Sequence, residues 1–193
     1  MAAASNAPAR GRLIIATPDL NDPNFDGTVV LLLEHGPEGA LGVVLNRPSE
    51  LSVQEAMTSP PTDGSTGWTD LVDTPGVIFV GGPVRPNAVI ALARVPAVAD
   101  PERWESVTQD LGVINLGDGP LPEVGSITAL RVFAGYAGWG AQQLEDEISD
   151  GAWFIVDALP ADCFSADPDQ LWLAVLRRQG GMFTTVTDNP LLN

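Results

Sequence analysis

The chain has 193 residues, enough for one compact domain whose core needs no disulfide staples. Twenty-five acidic side chains oppose nine basic ones, all of them arginine, for a formal net charge of −16. That balance argues against direct nucleic-acid binding, which needs a basic surface to displace counterions from phosphate; it also repels anionic lipid, and no apolar run has the length of a membrane-spanning helix.

The first ten residues, MAAASNAPAR, are small, polar and proline-containing. They lack the apolar stretch of a secretory signal and are expected to form a loose tail. GRLIIATP predicts a short strand closed by Thr17-Pro18. Residues 19–27 are rich in turn formers and read as a loop. TVVLLLEH, residues 28–35, is continuously apolar and predicts a strand covered on both faces. The link Gly36-Pro37-Glu38-Gly39 joins it to ALGVVLN, so the pair predicts a hairpin. Residues 51–57 predict a short helix, with Ser52 and Glu55 as a capping box. Residues 59–70 read as loop. VIFVGGPV predicts a buried strand entering a Gly-Gly-Pro turn, and NAVIALAR a further strand. Residues 96–104 hold several breakers, and LGVINLG predicts a short strand or bend.

SITALRVFAGYAGW alternates at Leu130, Val132 and Ala134, then reaches glycines expected to break the strand into a turn. Residues 141–150 predict a helix, with Leu144 and Ile148 on one face and Asp150-Gly151 as its stop. AWFIVDAL predicts a strand. Residues 168–179 predict a second helix, capped by Asp167, opened by Pro168 and closed by Gly180-Gly181. Residues 182–193 read as a poorly structured tail. About seven short strands against two or three helices, with early links too short for crossover helices, predict an α+β fold rather than a doubly wound parallel sheet.

Four constellations bear on chemistry. The glycines at 135, 138 and 140 ahead of a helix form either an anion cradle or an ordinary corner packed by Tyr136 and Trp139. Their spacing is neither a dinucleotide fingerprint nor a phosphate loop. Asp22-x-Asn24-x-Asp26-Gly27 matches half a calcium loop, but Leu33 stands where the bidentate glutamate belongs. His35 is the only histidine and Cys163 the only cysteine, which excludes an internal disulfide and a tetrahedral zinc site and leaves no serine triad signature. Arg47 and Arg85 each follow a strand end at a proline and would clamp a carboxylate or phosphate if those ends meet; ordinary ion pairing is the alternative.

Taken together, three stretches resemble the YqgE/AlgH family of small bacterial proteins: GRLIIATPDLNDPNFDGTVVLLLEHGPEGALGVVLNRP, then FVGGPV, then RVFAGYAGWGAQQLEDEISDGAWF with the later DPDQLWLAVLRRQGG. The resemblance spans residues 11–181, taken as the domain. The family usually carries Pro-Gly ahead of its Gln-Leu-Glu. Here Ala141-Gln142 stand there, which weakens the case for a glycine-specific turn. The resemblance implies a bent, barrel-like mixed sheet flanked by helices in a single domain, and a cytoplasmic bacterial protein. Some members carry the label of transcriptional regulator; no enzyme activity and no cofactor come with the family.

The expectation is therefore a non-enzymatic binding or regulatory module acting through a small anionic ligand or a protein partner, with an indirect role in transcription. Its ligand-binding residues are Arg47, Arg85, Tyr136, Trp139 and Gln143, with no catalytic or metal-binding residues and no cofactor. The alternative is a hydrolase using Asp or Glu with water or a metal; it requires acids such as Glu34, Glu145 and Glu147 to converge.

Overall fold

The computed structural model describes residues 7–57, 67–94, 104–116 and 127–180. The first six residues of the expected tail at 1–10, the expected tail at 182–193, and most of the expected loops at 59–70 and 96–104 lie outside these. The described residues form ten strands in one sheet. In chain order these are β1 (Arg12–Ala16), β2 (Val29–Gly36), β3 (Gly39–Val44), β4 (Pro48–Ser52), β5 (Val77–Val80), β6 (Val84–Arg94), β7 (Trp104–Ser106), β8 (Leu111–Ile114), β9 (Ala129–Gly140) and β10 (Trp153–Asp157). Four helices accompany them: α1 (Val53–Ala56), α2 (Gln143–Ser149), α3 (Pro160–Cys163) and α4 (Leu171–Gln179). The α+β class stands as expected, but the strands number ten rather than about seven, and α3 had no sequence counterpart.

The main strand order is β10-β1-β2-β3-β9-β6-β8-β7, with β4 beside β5 and β5 beside β9. Strand pairs are antiparallel except β5 with β9, which makes the sheet mixed. The hairpin of β2 and β3 is present, with its turn closed at Gly36 opposite Gly39. Alternate residues of β2 enter different clusters. Val29, Leu31 and Leu33 join the core beneath α3 and α4, while Val30 and Leu32 join the cluster beneath α2. An uninterrupted apolar run is what a strand buried on both faces requires.

Helix α2 buries Leu144, with Ile148 packed beside it. Helix α4 buries Leu171, Leu173, Val175 and Leu176 and ends at Gly180 in a left-handed conformation. A 3-10 turn over Pro168–Gln170 leads into it, and Asp167 makes no side-chain cap there, so the expected cap is only positional. The capping box of α1 is present. The Glu55 amide donates to the Ser52 hydroxyl at 3.1 Å, and that hydroxyl donates to the Glu55 carboxylate at 2.7 Å, holding the carboxyl below its ordinary range. Arg10 is tied to the sheet, donating to the carbonyls of Leu33 at 2.7 Å and Ser106 at 3.0 Å, so ordered contacts begin within the expected tail.

The largest departure from the sequence reading lies in β9. The strand does not break at the glycines; it runs through them for twelve residues to Gly140. Between β5 and β6 the chain crosses β9, and the glycines are where the two backbones meet. A Cβ on Gly82 would stand 2.3 Å from the Tyr136 carbonyl carbon, and one on Gly135 would stand 2.6 Å from the Gly82 oxygen. GGPV and FAGYAG are thus two halves of one close backbone crossing, a role only glycine fills.

Candidate functional site

The crossing explains the first of the expected binding elements. Tyr136 pairs with Val84 across it and packs half-buried on the main core. The corner that β9 does make comes after Gly135, Gly138 and Gly140, at Ala141 and Gln142. Gln142 is left-handed, with φ of +66°. The turn therefore has the backbone shape that glycine favours, contrary to the inference drawn from the missing Pro-Gly, and it is imposed on a glutamine.

Trp139 and Gln143 belong to a carboxylate-centred knot. The Trp139 indole donates to Glu147 Oε2 at 2.9 Å, and the Trp153 indole donates to the same oxygen at 2.8 Å. Gln143 donates to Glu147 Oε1 at 2.9 Å and accepts from the Gly140 amide at 3.0 Å. Phe25, from the loop over residues 19–27, stacks on Trp139 at 5.9 Å and meets Trp153 edge-on at 5.4 Å. The polar groups that would have received an anion are spent on holding α2 to the sheet, and Trp139 is 5% exposed. In the same loop, Asp22 accepts from the Asn24 amide at 2.7 Å, forming a turn with its own backbone. No group of three His, Cys, Asp or Glu side chains suited to a metal occurs among the described residues.

Arg47 points its guanidinium at the same loop, donating to the carbonyls of Pro23 and Asp26, each at 3.3 Å. Arg85 does the opposite. It is exposed, has φ of +43°, and makes no hydrogen bond or ion pair among the described residues. Of the two expected clamp residues, Arg47 is thus engaged with loop carbonyls and Arg85 is exposed. Five other arginines hold carboxylates or backbone carbonyls: Arg10, Arg12, Arg94, Arg131 and Arg178.

Glu34, Glu145 and Glu147 do not converge either. Glu34 is exposed, Glu147 holds the two indoles, and Glu145 Oε1 lies 2.8 Å from His35 Nε2. His35, with Arg10, Glu34 and Glu38, lines an open depression of about 320 Å³ at the hairpin turn.

A buried charge, Arg131, escaped the sequence reading. Arg131, 1% exposed, donates through Nη2 to the carbonyls of Thr74 at 2.7 Å and Ser165 at 2.8 Å, and its guanidinium lies 4.3 Å above the Phe79 ring. Burial pulls it down to about 10, against the opposing charge of Asp73. Cys163 is fully buried, and desolvation, with Asp162 nearby, pushes its thiol up to about 12. Arg131 follows the sequence pattern of an inward strand position, where a charge is unexpected; only its alternation with Phe133 signals that it faces the core.

The class these features define is an α+β protein built on one mixed sheet, with a glycine-mediated backbone crossing at its centre. Comparison with known proteins supplies the family. The AlgH-like family model matches residues 13–184. A UPF0301 protein of Streptomyces coelicolor is 46% identical over 190 residues, covering 95% of this chain and 94% of its own. A UPF0301 protein of Mycobacterium tuberculosis is 35% identical over 184 residues, covering 94% and 87%. The crystal structure of protein DIP2367 from Corynebacterium diphtheriae has a TM-score of 0.83 at 28% identity, covering 92% of this chain and 91% of that one. The solution structure of AlgH from Pseudomonas aeruginosa has a TM-score of 0.67 at 30% identity, covering 98% and 100%. The chain belongs to the AlgH-like family.

Proposed function

We propose that this protein is a non-enzymatic binding module that engages a protein partner through an anionic group, with an indirect role in regulating transcription in the cytoplasm. Arg85 carries the reading. A non-glycine residue held at φ of +43° is strained, and such strain concentrates where a side chain is presented for use. The side chain presented is an exposed guanidinium without a partner among the described residues, in a chain of net charge −16 whose arginines are mostly committed elsewhere. A carboxylate or phosphate is the group a free guanidinium recognises most strongly. The same net charge disfavours a polyphosphate strand as the partner.

The test is affinity capture with the wild-type protein and with Arg85→Asn, which removes the charge while tolerating the left-handed backbone. Captured proteins are purified and titrated directly. The expected result is at least one protein whose direct affinity falls roughly tenfold in the variant, the scale of one charge-assisted contact. Equal binding by both proteins across all recovered partners overturns the reading.

A further inference from the structure

Large apolar side chains are exposed on the strands that adjoin Arg85. Val80 on β5 and Val89 on β6 are both in register with Ala134 on β9. Phe79, Phe133 and Ile90, one step along, pack in the main core. The row Val80–Ala134–Val89 therefore lies on the opposite face of the sheet. Val80 is 44% exposed and Val89 61%, and Leu51 on the adjoining β4 is 49% exposed. Further along the same sheet Trp68 packs over Leu130, Ala91 and Ala93, whereas no such cluster among the described residues covers the row. Arg85 borders the row. From Val84 to Val89 five steps on β6 answer two on β9, and Arg85 opens the resulting bulge.

We infer that this face docks an amphipathic helix of a partner protein, with an acidic side chain at the end of the apolar stripe meeting Arg85. The inference rests on the function proposed above and names the partner's chemistry. The row runs across the strands, so whatever covers it must lie across them. A strand added at a sheet edge would lie beside the row and cover none of it. Strands stand about 4.8 Å apart, which puts Val80 and Val89 about 10 Å apart. Two turns of helix, from i to i+7, rise about 10.5 Å and present three apolar side chains along one stripe. The charge requirement comes from Arg85. A single carboxylate satisfies it, and a helix otherwise neutral or basic escapes repulsion by the −16 field.

The probe is a fluorescein-labelled amphipathic peptide of about 18 residues, roughly five turns, on an alanine–glutamine scaffold. It carries leucines at helical spacing and one glutamate beside the stripe; its counterpart has glutamine there. Fluorescence anisotropy at about 0.15 M salt compares the full-length wild type, Arg85→Asn and Val89→Ser. Both positions are exposed, so neither substitution threatens the fold, and circular dichroism verifies it. The expected result is roughly tenfold weaker binding for each variant. The glutamine peptide should lose a similar factor against wild type and nothing further against Arg85→Asn. Loss with Arg85→Asn but not Val89→Ser leaves an anion site without a docked helix, and overturns this inference alone. Indifference to both substitutions, together with a failed capture experiment, overturns the functional reading as well. Self-association of the wild type in sedimentation, abolished by Val89→Ser, shows that a second copy covers the face and likewise refutes the helix.

Discussion

Gln142 and Cys163 show how single residues carry conformational and electrostatic cost. A left-handed non-glycine residue costs about 1–2 kcal/mol, and the added flexibility of glycine in the unfolded chain offsets about half of that. Gln142→Gly should therefore stabilise the protein by up to about 1 kcal/mol, raising the calorimetric melting temperature by about 2–4 °C. A lower melting temperature would show that Gln142 makes a compensating contact. For Cys163 the folded thiol titrates at about 12 and the unfolded one near 9.0. The folded chain thus keeps a proton that the unfolded chain releases, so stability is intact below pH 9 and falls as pH rises above it. The slope reaches about 1.4 kcal/mol per pH unit. Above about pH 10 the buried Arg131 begins to lose its proton in the folded state first, which acts in the opposite sense. Urea midpoints between pH 8.5 and about pH 10 should fall in the wild type and fall less in Cys163→Ala. In the native state the thiol should stay inert to aromatic disulfide reagents, reacting only on unfolding.

Among the elements, α2 and the backbone crossing depend on interactions that local sequence does not display. Glu147 serves two indole N–H groups on different strands, so removing its carboxylate orphans both. Glu147→Leu should cost about 2–4 kcal/mol in urea unfolding and reduce the near-ultraviolet dichroism of Trp139 and Trp153, with Glu147→Gln less damaging. A loss under about 1 kcal/mol would mean that water replaces the carboxylate freely. The contrast with the sequence reading is instructive. The double-sided burial of β2, the capping box of α1 and the apolar side of α4 were legible, because each is encoded within a few consecutive residues. The glycines of β9 were misread as a turn because their reason lies about fifty residues away, in the chain that crosses them at Gly82. Arg85, on which the proposed site rests, was one of five candidates in the sequence. Nothing in the sequence distinguishes it from Arg47, whose guanidinium the loop carbonyls claim.

At the scale of the molecule, charge and topology dominate. A net charge of −16 on 193 residues repels itself, and added salt screens it. The melting temperature should rise by several degrees between about 0.01 M and about 0.2 M sodium chloride, where the screening length falls from about 30 Å to below 10 Å. A flat or falling curve would show that the acids are already neutralised by local pairing. No helix among the described residues is long and apolar enough to cross a membrane. The sheet itself has a spine that arrives late in the chain. β9 borders β3, β5 and β6, uniting the early meander with the later strands. During synthesis, the first hundred and more residues therefore leave the ribosome without the strand that seals them together. Open ladders on β3, β5 and β6 wait for it, which makes chains truncated before β9 prone to sticking together and assigns chaperones their longest exposure to this protein just before that strand emerges.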